Sequence, residues 1–427
     1  MEEEIRVQVQ DRHSIEQVLR PIAYFSWLLG VGVACPRKCP KAVTVILRTL
    51  HFGVCSVIVV YGAIDFFTFG SVFKSDIFKI MYYTNKVVCY VAAYYYVLHG
   101  IGRYNTWPEL MSRLKSLDEK IRRETDLNDR PVKIVQVLAV LTTLTCGPLF
   151  LIIHSLYYYF TCPDDIFASD LLLYYTIAQS LINSFVFDVV IYVLYHRFET
   201  INELIGQLDE RFDAPWIAHK LRRIRELHIG ICDVITMVND IYGFHLLFCS
   251  ANCFTMVVAT LFRIYMSVVE KNYAFMLINN ILWILYTAQF GLMCWVCTLA
   301  RRESDNTGII IYGIVLNWKS ACLGKRNSVK YQQNLELSLN SEQNSNRSSG
   351  YNLSYVVMEN LLRKNLNRDC VRKEVNDFSI QLQQHRVAFT ARDLFEMNNA
   401  LLSGFVGVIT TYLIILVQFY RPENLNA

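Results

Sequence analysis

The 427-residue chain is long enough for two or three soluble domains, but it is 53% hydrophobic and only 18% charged, with a net charge of +4 and a mean hydropathy of +0.27. Long apolar runs alternate with basic stretches, which excludes a soluble enzyme or nucleic-acid-binding module and leaves a polytopic membrane protein. No extended alternating pattern of strand type occurs, so a transmembrane barrel is not supported and the expected fold is all-α.

The polar start, MEEEIRVQVQDRHSIEQ, has no hydrophobic core behind a basic end, and no cleavable signal peptide is expected. Residues 1–42 read as a cytosolic N-terminus, in which Pro21 to Ala34 is too short to span and forms an interfacial or re-entrant segment. The first span is about Val43 to Phe69, with Arg48 and His51 near enough to its start to reach the interface by snorkelling. The second, Ile77 to His99, contains Asn85, Lys86 and a dense tyrosine set. An ionisable group inside a span marks a functional candidate, and a lysine paired with a carbonyl or facing a wet cavity is the structural alternative. Arg103 to Lys133 is basic, and Leu110, Leu114, Leu117 and Ile121 share one face of a soluble amphipathic helix. The third span, Ile134 to Phe160, is followed by an acidic loop, Thr161 to Asp170, with no Lys or Arg. The fourth, Leu171 to Leu194, includes Gln179, Asn183 and Asp188.

His196 to Ile235 is charged but keeps a helical apolar stripe, so spans four and five continue out of the membrane as long helices. Span five is about Ile241 to Val268, and span six, Tyr273 to Leu299, carries Asn279, Asn280, Trp283, Tyr286 and Gln289. Residues 43–299 thus form a bundle of six transmembrane helices with cytosolic helical extensions. Residues 300–399 form a cytosolic loop, disordered at about 327–352 where Ser, Asn and Gln dominate, together with a helical anchor. In that anchor Val371, Val375, Phe378, Leu382 and His385 keep a 4, 3, 4, 3 spacing, the seam of a helix packed on others. The last apolar helix is 400–419, and 420–427 is a short tail.

Most of the thirteen cysteines lie inside apolar runs or in segments read as cytosolic, where thiols stay reduced. Cys35 with Cys39, and Cys294 with Cys297, are each spaced like half a metal site without a second half. No metal, cofactor or redox chemistry is expected.

Orientation follows from the basic residues. The segments before span one, between spans two and three, four and five, and six and seven hold 34 Lys and Arg, against Lys74, Lys271 and Arg421 on the other side. Without the longest loop the ratio is still 20 to 3. Positive residues stay in the cytosol, so the N-terminus is cytosolic and, after seven spans, the C-terminus is extracellular. Such a chain is inverted relative to G-protein-coupled receptors, which disfavours a metabotropic seven-helix receptor. A transporter or membrane enzyme using His99, His154 or Asp188 is disfavoured by the lack of internal repeats and of a shared motif.

The final run, LLSGFVGVITTYLIILVQF from Leu401 to Phe419, is uncharged and long enough to cross a bilayer as one helix. Gly404, Gly407, Thr411 and Gln418 fall on one helical stripe. Either the stripe lets helices pack closely, or copies of this helix line a water-filled path.

Thr411-Tyr412, five hydrophobic residues and Gln418-Phe419 form a string that resembles the insect gustatory receptor family, as do Phe378-Ser379-Ile380-Gln381-Leu382, Phe389-Thr390-Ala391 and Phe395 upstream. The resemblance implies a ligand-gated, non-selective cation channel of four subunits, homomeric or mixed with related receptors, in the plasma membrane of a sensory neuron. It also implies one central pore lined by the last helix, passing Na+, K+ and Ca2+, a cytosolic helical anchor between subunits, and no enzyme activity. Gln418 and Phe419 would then sit at the outer gate, Thr411 and Tyr412 deeper, and Gly404 and Gly407 toward the cytosol. Arg392-Asp393 departs from the small or neutral residues the family tends to place there, and Leu413 from the acidic residue of its sweet-receptor branch.

The expected ligand is a small-molecule tastant: a sugar, an amino acid or a bitter compound. Aromatic walls with a few amides hold such molecules. The outer-half residues that qualify are Tyr82, Tyr83, Lys86, His154, Tyr157, Tyr174, Tyr175, Gln179, Asn279, Trp283 and Tyr286, each of which has an aromatic-belt or packing role as its structural alternative.

Overall fold

A main chain inside hydrocarbon must satisfy its own hydrogen bonds, and the long apolar runs accordingly fold as helices. The computed structural model describes residues 15–36, 39–69, 76–161, 168–208, 213–269, 283–313 and 369–419. In chain order its helices are α1 (Ile15–Leu28), α2 (Lys41–Phe69), α3 (Asp76–Gly102), α4 (Thr106–Arg122), α5 (Arg130–Thr161), α6 (Ala168–Gly206) and α7 (Ala214–Val269). They continue with α8 (Trp283–Gly313), α9 (369–384) and α10 (Asn399–Phe419). Among the described residues no strand occurs, only an isolated bridge between Thr390 and Glu396. The expected disordered stretch, 327–352, and the tail, 420–427, lie outside the described residues.

Among the described residues, five helices (α2, α6, α7, α8 and α10) are long and apolar enough by composition to cross a membrane. Two more, α3 with 27 residues and α5 with 32, are also long enough for roughly 30 Å of hydrocarbon at about 1.5 Å per residue. The charged stretches after span four and before span five continue the apolar ones as single helices of 39 and 56 residues.

The segment before α2 does not span. Ile15, Val18, Leu19 and Ile22 give α1 one buried face, and the chain then turns back through Gly30 and Gly32, at φ 70° and 62°. A side chain at Gly32 would meet Asn183 Oδ1 at 2.3 Å, and one at Gly30 would meet the His51 ring at 2.2 Å. Both glycines are therefore required by conformation and by closeness.

The chain divides into two compact units, one of residues 1–194, 234–300 and 388–427, the other of 195–233 and 301–387. The second has its own core, built from Phe198, Ile201, Ile205, Ile217, Leu221, Ile224, Ile231, Ile311, Val371, Val375 and Phe378. His228 sits between the rings of Phe198 and Phe378, at 5.3 and 5.6 Å. Asn202 donates to the Glu303 carbonyl at 2.8 Å and accepts from Thr307 at 2.7 Å, while Arg225 pairs with Glu374 and Asp377, each at 3.3 Å. The α9 seam departs from its expected course after Phe378. Gln381 is buried and donates to the Arg225 carbonyl at 3.4 Å, whereas Leu382 is half-buried and His385 exposed. His385 lies one residue past the end of α9, so it no longer follows the helical seam.

Candidate functional site

Four helices of the first unit meet at a buried polar cluster. From α3 come Cys89 and Tyr96, from α6 Ser180 and Ser184, from α7 His245, Cys249 and Asn252, and from α8 Tyr286 and Gln289. On each helix the steps are three, four or seven, so each set shares one face. His245 is hydrogen-bonded through one ring nitrogen to the Tyr96 hydroxyl at 3.0 Å and through the other to Ser184 Oγ at 3.1 Å. Gln289 donates to the same Ser184 oxygen at 2.6 Å, and the Cys89 thiol to Asn252 Oδ1 at 3.2 Å. Beside this network lies a cavity of about 10 Å³, the space of one water molecule, lined by Ser180, Cys249, Asn252, Cys253, Tyr286, Gln289, Phe290 and Met293.

Of the residues expected to hold a ligand, Tyr286 lines this cavity, with Trp283 one turn before it on α8. Several others have different partners. Tyr175 is hydrogen-bonded to His51 and accepts from Gln179 at 2.8 Å; Gln179 also donates to the Leu29 carbonyl at 2.9 Å, tying α6 to the turn after α1. Tyr83 packs edge-on against Phe66 at 4.6 Å and donates to the Asp65 carbonyl at 3.5 Å. Tyr174 and Lys86 are buried on α6 and α3. Tyr82, His154 and Tyr157 belong to α3 and α5, with side chains outside the described set, and Asn279 lies outside the described residues altogether. His99 stacks on Tyr95 at 5.0 Å, and Asp188 is buried on α6. Sequence reasoning did not select Ser184, His245, Cys249 or Asn252, although the i, i+4, i+7 spacing of the last three was the signal available.

The last helix contrasts with the rest. None of the most apolar stretch of α10 is buried within the chain. Gly404, Gly407, Thr411 and Gln418 are all exposed, no atom lies within 4 Å of a Cβ built at either glycine, and Thr411 Oγ1 donates back to the Gly407 carbonyl at 3.0 Å. The other side carries Phe405, stacked on Phe290 at 4.7 Å and edge-on to Phe254 at 5.9 Å, and Tyr412, edge-on to Phe254 at 5.5 Å. Phe290 also walls the cavity, so one ring joins the polar cluster to α10. The Phe419 side chain is outside the described set.

The approach to α10 is a tight turn. Met397 N donates to the Phe389 carbonyl at 2.8 Å and Ala391 N to the Phe395 carbonyl at 3.0 Å, while Arg392 and Asp393 take φ of 52° and 58°. A non-glycine residue is strained there, so the neighbours must hold the turn. Asn239 donates to the Ala388 carbonyl at 2.8 Å and accepts from Thr390 N at 3.3 Å. The Arg392 guanidinium lies 4.1 Å over the Phe244 ring and 3.8 Å from Asp240, which also receives Arg103 from the end of α3. These two cations, the Arg103 hydrogen bond above all, hold the Asp240 carboxyl below its usual range. The Arg392-Asp393 pair that departs from the family's pattern therefore forms the clip of the turn.

Comparison with known proteins gives this arrangement relatives. The family described as 7tm chemosensory receptor matches residues 19–324 and 357–420. The gustatory receptor for bitter taste 66a of Drosophila melanogaster is 25% identical over 207 residues, 48% of this chain and 32% of that protein. The putative gustatory receptor 2a of the same species is 43% identical over 51 residues, 12% of each chain. The matched regions thus span a third or less of those relatives' lengths. In fold, the chain is similar to the insect olfactory receptor OR5 from Machilis hrabei, with a TM-score of 0.51 and 13% identity over 95% of this chain and 99% of that one. The same receptor in complex with eugenol gives a TM-score of 0.53 and 14% identity over 96% and 99%. With the family match running from α1 to α10, the chain belongs to the 7tm chemosensory receptor family, a family of multi-pass membrane receptors and not of enzymes.

Proposed function

We propose that this receptor is a ligand-gated, non-selective cation channel of four subunits, homomeric or mixed, in which α10 of each subunit lines one central pore. The observation that carries this reading is the bareness of α10: a helix apolar enough to cross a membrane, buried nowhere along its most apolar stretch, with a stripe of small and polar residues facing away from its own chain. Copies of α10 around an axis would cover that stripe with one another and with water. A ring of Gln418 amides offers dipoles without fixed charge, which suits weak discrimination among Na+, K+ and Ca2+, and a ring of Phe419 gates by dewetting. The excess of Lys and Arg in the alternate loops supports a cytosolic N-terminus and an extracellular C-terminus, and membership of the chemosensory receptor family supports residence in the plasma membrane of a sensory neuron.

The opening ligand is a small-molecule tastant bound among α3, α6, α7 and α8. The cavity at Tyr286 holds about one water, far below the roughly 300 Å³ of small-molecule sites, so a tastant would have to expand it to bind there. A ligand favours opening to the extent that it binds the expanded cavity better than the closed one. Expansion displaces Phe290, and with it Phe405 on α10. The similarity to the bitter-taste receptor 66a makes bitter compounds the first panel to screen, ahead of sugars and amino acids. The test is expression of the chain alone and with related receptors, with surface labelling and current recording. Surface protein that passes no current to any member of the panel refutes the channel, and extracellular labelling of an N-terminal tag refutes the topology.

A further inference from the structure

A second cavity, of about 520 Å³, opens within the first unit between α1, the turn that follows it and α4. Its floor is apolar and buried, made of Leu19 and Ala23, Cys35 from the turn, and Trp107 and Met111. Its rim is polar. Arg20 is held along it by donating to the Tyr24 hydroxyl at 3.2 Å, with its guanidinium 5.3 Å over the Tyr24 ring, and α4 supplies Lys115 and Ser112. Glu16 is the one carboxylate among the lining residues.

A buried cation, Arg48, lies near Cys35 but is not one of the residues that line the cavity. Arg48 is 1% exposed, its charge bears on the Cys35 thiol, and its Nε and Nη1 have no hydrogen-bond partner among the described residues. It cannot withdraw to solvent, because α3 closes over it at Gly100, where a built Cβ would lie 1.4 Å from Arg48 Nη1.

Apolar floor and cationic rim together describe a ligand with an anionic head and an aliphatic body. α1 has only 14 residues with one apolar face, a helix suited to lie in the interface and not to cross it. We propose that this cavity binds an anionic phospholipid of the cytosolic leaflet, its phosphate between Arg20 and Lys115 and its glycerol and upper acyl chain over Trp107 and Met111. The assignment to that leaflet rests on the orientation given above. The site is separate from the tastant cavity and would make the receptor sensitive to the charge of its membrane.

The test uses the full chain in nanodiscs of phosphatidylcholine containing a minor fraction of phosphatidylserine or a phosphatidylinositol phosphate. Lipid retained after gentle re-extraction is counted by native mass spectrometry, a readout that requires no current and stands whether or not the channel reading does. Wild type should retain the anionic lipid in preference to phosphatidylcholine. Arg20→Ala with Lys115→Ala, both on the accessible rim, should cut that preference roughly thirtyfold, as expected for two interfacial cations at about 1 kcal/mol each. Trp107→Leu should loosen the lipid while leaving the charge preference in place. Equal retention of all lipids, or a preference untouched by the double substitution, overturns the proposal. Displacement of the lipid by soluble glycerophosphate at comparable concentration also overturns it, since the site would then take a free phosphate ester and not a lipid.

Discussion

Asp240 is reached by Arg103 from α3 and by Arg392 from the turn that leads into α10, so one carboxylate ties three parts of the first unit. These groups are a third to a half exposed, and such pairs contribute about 0.2–1 kcal/mol each. Asp240→Asn should therefore leave expression intact and shift the half-maximal ligand concentration by a few fold, checked by dose–response recording beside surface counts. An unchanged curve removes the clip from gating. Asp393, at φ 58°, separates strain from charge. Asp393→Gly should be neutral or slightly stabilising, because relief of the left-handed conformation offsets loss of the 3.0 Å bond from Thr390 Oγ1, while Asp393→Val should destabilise by about 1–2 kcal/mol, read as a lower melting temperature.

His228 in the second unit gives a pH prediction. Burial beside Phe198 and Phe378 lowers its pKa from 6.5 to about 4, with His385 as the lesser cause. The folded form holds a neutral ring that the unfolded chain would protonate, so the stability from this group is complete above about pH 6.5 and is lost as pH falls toward 4. His228→Gln should flatten the melting temperature over that window. A mutant slope equal to that of wild type would contradict the assignment.

At the scale of elements, the cavity wall and α10 share the Phe290–Phe405 stack. Phe405→Ala should raise the half-maximal ligand concentration or lower the maximal current while leaving single-channel conductance unchanged; a conductance change would mean that Phe405 faces the pore instead. Ser184→Ala removes the shared partner of His245 and Gln289, and leaving buried groups unsatisfied costs about 1–3 kcal/mol. The expected result is a lower melting temperature together with an altered ligand response.

The helices were legible before any coordinates, because twenty apolar residues in a row have one stable form in a bilayer. The apolar stretch from Pro21 to Ala34 was legible as too short to cross, but not that its helix would start at Ile15 and end at Leu28, because Pro21 reads as a boundary and sits inside the helix. The polar cluster was not. Ser184 and Gln179 lie five residues apart on one helix and face different neighbours, α7 and α8 for the first, the turn after α1 for the second, and only packing decides which face meets which. The clip at Arg392 drew notice as a departure from a family pattern, but its partner Asp240 is 152 positions earlier and no spacing points to it.

On the whole-molecule scale, the proposed pore rests on an α10 that its own chain leaves bare, and the proposed orientation on a bias of Lys and Arg toward alternate loops. Cysteine accessibility along α10 tests the central claim most directly. In a background shown to be insensitive to a charged, membrane-impermeant thiol reagent, Gln418→Cys and Thr411→Cys should let that reagent block the ligand-evoked current, faster in the presence of ligand. Phe405→Cys and Leu416→Cys, off the stripe, should not respond. Block that ignores the stripe, or a Gln418→Cys channel that reacts without any change in current, would contradict a pore lined by this helix.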